Sequence, residues 1–132
     1  MSEVKKILLI DDERVMRQIL RDFFKKDTEY EFQAVENCAD ADKLLLEYQE
    51  EFDLILLDLM MPDKGGIQYL DDLAKRESNI PVIVITGFGT VDTCRKSFLL
   101  GVSDYIMKPF KVDELLQAIE SVFQNQSVLS QN

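Results

Sequence analysis

The sequence predicts a doubly wound α/β domain, a parallel sheet with helices on both faces, and three observations carry that prediction. Short apolar runs recur without polar alternation, as at Ile7-Leu8-Leu9-Ile10, Leu54-Ile55-Leu56-Leu57 and Val82-Ile83-Val84-Ile85. Such runs are the mark of strands buried on both faces. Between them lie segments with apolar residues at i, i+3, i+4 and i+7, the period of a one-sided helix. The two kinds of segment alternate through 132 residues with no linker, low-complexity tract or repeat. That is the length of one domain.

Taken in order, the first strand is Ile7 to Ile10. The first helix follows, with Met16, Ile19, Leu20, Phe23 and Phe24 on its stripe. Phe32 to Val35 is the weakest strand signal. The second helix carries Ala41, Leu44, Leu45 and Tyr48, and Leu54 to Leu57 form the third strand. Ile67, Leu70 and Ala74 mark the third helix, and Val82 to Ile85 the fourth strand. The fourth helix has the sparse stripe Val91, Cys94 and Phe98, with Gly101 placed to end it in the left-handed conformation. Tyr105-Ile106-Met107 is the fifth strand, and Val112, Leu115, Leu116, Ile119 and Phe123 the last helical stripe. Each stripe is expected to pack on the sheet. The domain is expected to span residues 1–126, with 127–132 a flexible polar tail or the start of a linker.

Composition narrows the function. With 46% hydrophobic and 30% charged residues the chain can bury a core, which excludes disorder. There is no histidine, so a Ser-His-Asp or Cys-His nucleophile, a His-ligated zinc and a phosphohistidine on this chain are all excluded. A net charge of −10 argues against direct nucleic-acid binding, which depends on neutralising phosphates, and points to cations or basic partner surfaces. Cys38 and Cys94 match no metal motif and read as reduced thiols. The first apolar run stops after four residues at Asp11-Asp12-Glu13, too short for a signal peptide or a membrane span. The expectation is a soluble, cytoplasmic protein with no membrane partner.

In a doubly wound sheet, ligands bind beyond the carboxyl ends of the strands. Asp11 and Asp12 follow the first strand, Asp58 the third, Thr86 closes the fourth, and Lys108 closes the fifth. Each alone has an ordinary structural explanation; Asp11 and Asp12, for instance, suit the positive end of the first helix. Four strands placing these types at one edge do not. Crowded carboxylates call for a hard divalent cation such as Mg²⁺, which takes oxygen ligands and substrate phosphate oxygens. A lysine and a hydroxyl beside it suit phosphoryl transfer. With no histidine or reactive thiol at this edge, the nucleophile must be a carboxylate, giving an aspartyl phosphate.

From about Val4 to Gln126 the chain resembles the receiver domains of two-component response regulators. The resemblance is carried by Asp11-Asp12, by Asp58-Leu59-Met60-Met61-Pro62, and by Thr86, Tyr105 and Lys108-Pro109-Phe110. It implies a flavodoxin-like three-layer (βα)5 sandwich with strand order 2-1-3-4-5. It implies that Asp58 is the phosphoacceptor, that Asp12, Asp58 and the backbone carbonyl of Met60 coordinate Mg²⁺ (with Mn²⁺ as a substitute), and that Asp11 holds a metal-bound water. Lys108 and Thr86 would contact the phosphoryl oxygens, and Tyr105 would turn inward as Thr86 shifts. The Lys108-Pro109 bond would be cis. The changing face would be the fourth helix, fifth strand and fifth helix, a surface through which a second copy could pair. The donor would be a sensor histidine kinase or a histidine phosphotransfer protein. The chain would therefore be a regulatory protein and not a substrate-converting enzyme; its downstream target and any output domain are not legible.

Two departures from the family pattern stand out. Met60 and Phe88, two residues after Asp58 and Thr86, are large and apolar where rapidly self-dephosphorylating relatives carry polar groups. They are expected to hinder the attacking water. Gly65 stands where receivers commonly place Asp and is expected only to alter a turn. Among competing readings, a haloacid-dehalogenase-type hydrolase needs a second acid at position 60, which is Met. A flavodoxin-like cofactor binder would meet repulsion from Asp11-Asp12-Glu13. A degenerate receiver used only for docking needs a broken site, and this one is complete.

Overall fold

The computed structural model describes residues 4–130, with side chains to residue 126. Its strands are β1 (Lys6–Ile10), β2 (Glu31–Val35), β3 (Leu54–Leu57), β4 (Val82–Thr86) and β5 (Asp104–Met107). Its helices are α1 (Arg14–Asp27), α2 (Cys38–Asp42), α3 (Gly66–Lys75), α4 (Val91–Leu99) and α5 (Val112–Ser130). A π-helical turn, Lys43–Glu47, continues α2. All strand pairings are parallel, and the order is β2-β1-β3-β4-β5.

The unbroken apolar runs are explained by two cores, one on each face. In β1, Leu8 and Ile10 join the cluster under α2 and α3, with Tyr69, Leu70 and Leu73, while Ile7 and Leu9 join the cluster under α1 and α5, with Leu20, Phe24, Leu115 and Ile119. Leu54 to Leu57 split the same way. Such strands cannot alternate with polar residues, because neither face meets water.

Four helices differ from their expected stripes; in α1 the departure is Ile19, which is 49% exposed. In α4, Val91 is 86% and Phe98 48% exposed, and the buried position is Ser97. Burial there is tolerable because Ser97 Oγ donates to the Thr93 carbonyl at 2.8 Å. The inward face of α4 is therefore the row of Thr93, Ser97 and Leu100. In α3, Ala74 is exposed while Tyr69 and Leu73 are buried, and in the second helix Tyr48 lies exposed at the end of the π-helical turn. Tyr69 can be buried because its hydroxyl donates to Asp42 Oδ1 at 2.7 Å, and Arg76 donates to both oxygens of the same carboxylate at 2.8 Å. Gly101 ends α4 with φ +94°, as its position predicts.

The last helix runs to Ser130, beyond the boundary expected at residue 126. Of the segment read as a polar tail, residues 131–132 and the side chains from 127 onward lie outside the described residues. Cys38 is buried and Cys94 partly buried, both as free thiols, and burial pushes the Cys38 thiol up to about 11. Among the described residues, no helix is long and apolar enough to cross a membrane.

Candidate functional site

The strand order places β1, β3, β4 and β5 side by side, so their carboxyl ends share one edge. Asp58 continues β3 and pairs back to β1 through its N–H, which donates to the Ile10 carbonyl at 3.0 Å. Asp11 leaves β1 with its N–H donating to the Val35 carbonyl at 3.1 Å and its own carbonyl accepting from Arg17 Nη1 at 3.0 Å. Both aspartates are buried, while Asp12 is exposed. Lys108 enters from the end of β5, with its N–H donating to the Thr86 carbonyl at 2.8 Å, and the Lys108–Pro109 bond is cis, as expected.

Lys108 Nζ donates to Asp11 Oδ2 at 2.8 Å, to Glu13 Oε1 at 2.6 Å and to Asp58 Oδ2 at 3.2 Å. The remaining oxygens are held by backbone: Asp11 Oδ1 accepts from the Glu13 N–H at 2.9 Å, and Asp58 Oδ1 from the Met60 N–H at 3.0 Å. Burial penalises charge here. It pushes Asp11 up to about 6, although the Lys108 ammonium and the Glu13 N–H both favour the ionised form. Burial also opposes the Lys108 charge, but its carboxylate partners, Asp11 and Glu13 first, hold its pKa above the usual lysine value.

The oxygens of Asp11, Asp12 and Asp58 can lie within 4.8 Å of one another. An all-oxygen, anionic donor set fits a hard cation such as Mg²⁺ and fits a soft metal poorly. Two buried carboxylates that share one ammonium are in turn a site that an added cation relieves.

Thr86 is fully buried at the end of β4, where its Oγ1 accepts a long bond from the Phe88 N–H at 3.4 Å. Tyr105, in register with Val84, is partly buried against the core, and its hydroxyl lies 3.1 Å from Thr93 Oγ1. A Cβ on Gly89 would collide with that hydroxyl. Thr93 and Thr90 also cap α4 reciprocally, so the ring and the start of α4 share a hydrogen-bond network. Met60 and Phe88 stand at the rim, 53% and 73% exposed.

All residues predicted for the site except Asp12 and Met60 have buried or partly buried side chains, and Lys108 gathers Asp11 and Asp58 directly. Two participants were not legible. Glu13 read only as part of an acidic turn, yet it makes the shortest contact to Lys108. Thr93 lies one helical turn beyond the Thr90 cap, and only the fold brings it to Tyr105. Gly65 is the N-cap of α3, in extended conformation, and supplies no side-chain cap.

An open parallel sheet of order 2-1-3-4-5 with an acidic, lysine-bridged carboxyl edge defines a flavodoxin-like α/β domain. Over residues 7–120 the chain matches the family described as Response regulator receiver domain, and it belongs to that family. It is 34% identical over 116 residues to Sporulation initiation phosphotransferase F of Bacillus subtilis, covering 88% of this chain and 91% of that protein. It is 30% identical to the Chemotaxis protein CheY of Halobacterium salinarum, covering 89% of this chain and 96% of that one. The Regulatory protein AtoC of Escherichia coli is 31% identical over 97% of this chain, but the match spans only 27% of AtoC, and for the transcriptional regulatory protein CiaR of Streptococcus pneumoniae it spans 55%. Among solved structures, a CheY-like receiver domain protein of Methanospirillum hungatei superimposes with a TM-score of 0.85 at 25% identity, covering 95% of this chain and 98% of that one. The chain is thus a receiver domain of the two-component type, and its relatives include response regulators and transcriptional regulatory proteins.

Proposed function

We propose that this receiver accepts a phosphoryl group on Asp58 and passes the event to its α4-β5-α5 face. The observation that carries the proposal is Lys108 Nζ bridging two buried carboxylates, Asp11 and Asp58, at the carboxyl edge of the sheet. Asp11, Asp12, Asp58 and the Met60 carbonyl would hold Mg²⁺, with Asp11 acting through a water and Mn²⁺ able to replace it; when bound, the ion supplies charge neutralisation at the phosphoryl oxygens. An Asp58 oxygen attacks phosphorus, and the P–N bond to a donor imidazole breaks. The imidazole keeps the bonding pair and takes a proton.

Since the chain has no histidine, the donor is a sensor histidine kinase or a histidine phosphotransfer protein. Lys108 holds one phosphoryl oxygen by charge, and Thr86 moves to donate its hydroxyl to another. Movement of Thr86 opens space that the Tyr105 ring can follow, breaking its contact with Thr93 and biasing a two-state equilibrium at α4. The exposed Val91, Phe98 and Met107 on this face suit a protein target or a second copy of the chain. A cytoplasmic protein is the setting this function requires.

Intact mass after incubation with Mg²⁺ and acetyl phosphate tests the reading. One added phosphoryl group is expected, and none in Asp58→Asn. No added mass in the native protein, with a cognate kinase as well as with the small donor, would leave a docking module instead.

A further inference from the structure

Lys108 has three N–H donors, and all three are committed to carboxylates: Asp11, Glu13 and Asp58. The longest of the three contacts, 3.2 Å, is the one to Asp58, while the shortest, 2.6 Å, is to Glu13. Among the described residues, Asp11, Asp12 and Asp58 form the oxygen cluster that a cation can occupy, and Glu13 is not part of it. A cation on that cluster would neutralise two of the lysine's three partners and leave Glu13 as its remaining anion. Glu13 is also fixed in place. It is the N-cap residue of α1, its N–H donates to Asp11, and its carbonyl accepts from the Arg17 N–H at 3.1 Å.

We infer that Glu13 is a positioning residue that competes with the phosphoryl group for Lys108. It keeps the ammonium at the rim in the unmodified protein and must release it when a phosphoryl oxygen appears on Asp58. The inference rests on the proposed role of Asp58. The pair is partly exposed, with Lys108 at 10% and Glu13 at 56%, so its removal is expected to shift the competition by about fivefold.

Two variants separate reach from charge. Glu13→Gln removes the charge. Glu13→Asp keeps it but draws the carboxylate back by one methylene, toward the first-turn N–H groups that an N-cap aspartate favours. Neither disturbs the fold, because the Glu13 side chain caps nothing. The measurement is the affinity for beryllofluoride, a phosphoryl mimic, in saturating Mg²⁺ by tyrosine fluorescence, together with the rate of phosphorylation by acetyl phosphate. Both variants are expected to bind beryllofluoride about fivefold more tightly and to react correspondingly faster. If Glu13→Gln gains but Glu13→Asp behaves as the native protein, the rim charge merely repels anions and the inference falls. Unchanged or weakened binding in both variants overturns it equally. A native protein that takes up neither beryllofluoride nor phosphoryl would instead overturn the function proposed for Asp58.

Discussion

Replacing Asp11 by Asn isolates the cost of holding a charge at the buried edge of the sheet. Asp11 is fully buried, and its pKa is raised from 3.8 to about 6. Between those values the folded protein binds more protons at this group than the unfolded chain, so stability falls as pH rises through the interval. A shift of about two units corresponds to about 3 kcal/mol, present as relative stability below pH 4 and lost above pH 6. Asn cannot titrate. It also has one acceptor oxygen, where Asp11 uses two, for Glu13 N–H and for Lys108. One donor is left facing the amide, a cost of about 1–3 kcal/mol that does not depend on pH. The decisive quantity is therefore the change with pH of the difference between Asp11→Asn and the native protein. Urea denaturation in chelator at pH 4, 5, 6 and 7 is expected to move that difference by about 3 kcal/mol in favour of the variant. A difference that stays flat across this range would refute the reasoning, because it would mean that the Asp11 charge is no more costly folded than unfolded.

Gly66→Ala is expected to destabilise the domain by more than about 2 kcal/mol in urea denaturation, because the new Cβ would lie 2.6 Å from Leu59 Cα and 2.7 Å from the Asp58 carbonyl oxygen. Those are backbone atoms beside the acceptor, so phosphorylation by acetyl phosphate should slow as well. Replacing Met60 and Phe88 together by Asn or Glu should speed loss of the phosphoryl group, followed by intact mass after donor removal; an unchanged decay would end the idea that these rim side chains hinder water. Tyr105→Phe removes the hydroxyl contact to Thr93, and should raise hydrogen exchange of the first-turn amides of α4, with a global cost of about 1 kcal/mol.

Much of the fold was legible because its signal is local and redundant. A strand buried on both faces must be apolar throughout, so Ile7 to Ile10, Leu54 to Leu57 and Val82 to Ile85 declare themselves without any knowledge of their neighbours. α4 was misread because its apolar residues are not its buried ones. A short helix that leans on Ser97 through a back-bonded hydroxyl leaves Val91 and Phe98 in water, and one-sided hydropathy cannot distinguish a core face from an exposed binding face. Tyr69 and Asp42, 27 residues apart, meet only because α2 and α3 cover the same side of the sheet.

The sequence by itself determined the architecture, meaning the strands and their order of appearance, and the carboxylates, hydroxyl and lysine that end them, but not Glu13 or Thr93. What it determined is set by residue type at strand ends, which the chain states directly. Tertiary structure alone decided how the site is wired. That Lys108 lies nearest to Glu13, that Asp11 resists ionisation, and that Tyr105 is tied to the cap of α4 all depend on distances across different strands and helices. Those distances, and the loss of water that gives them their strength, exist only once the sheet is assembled.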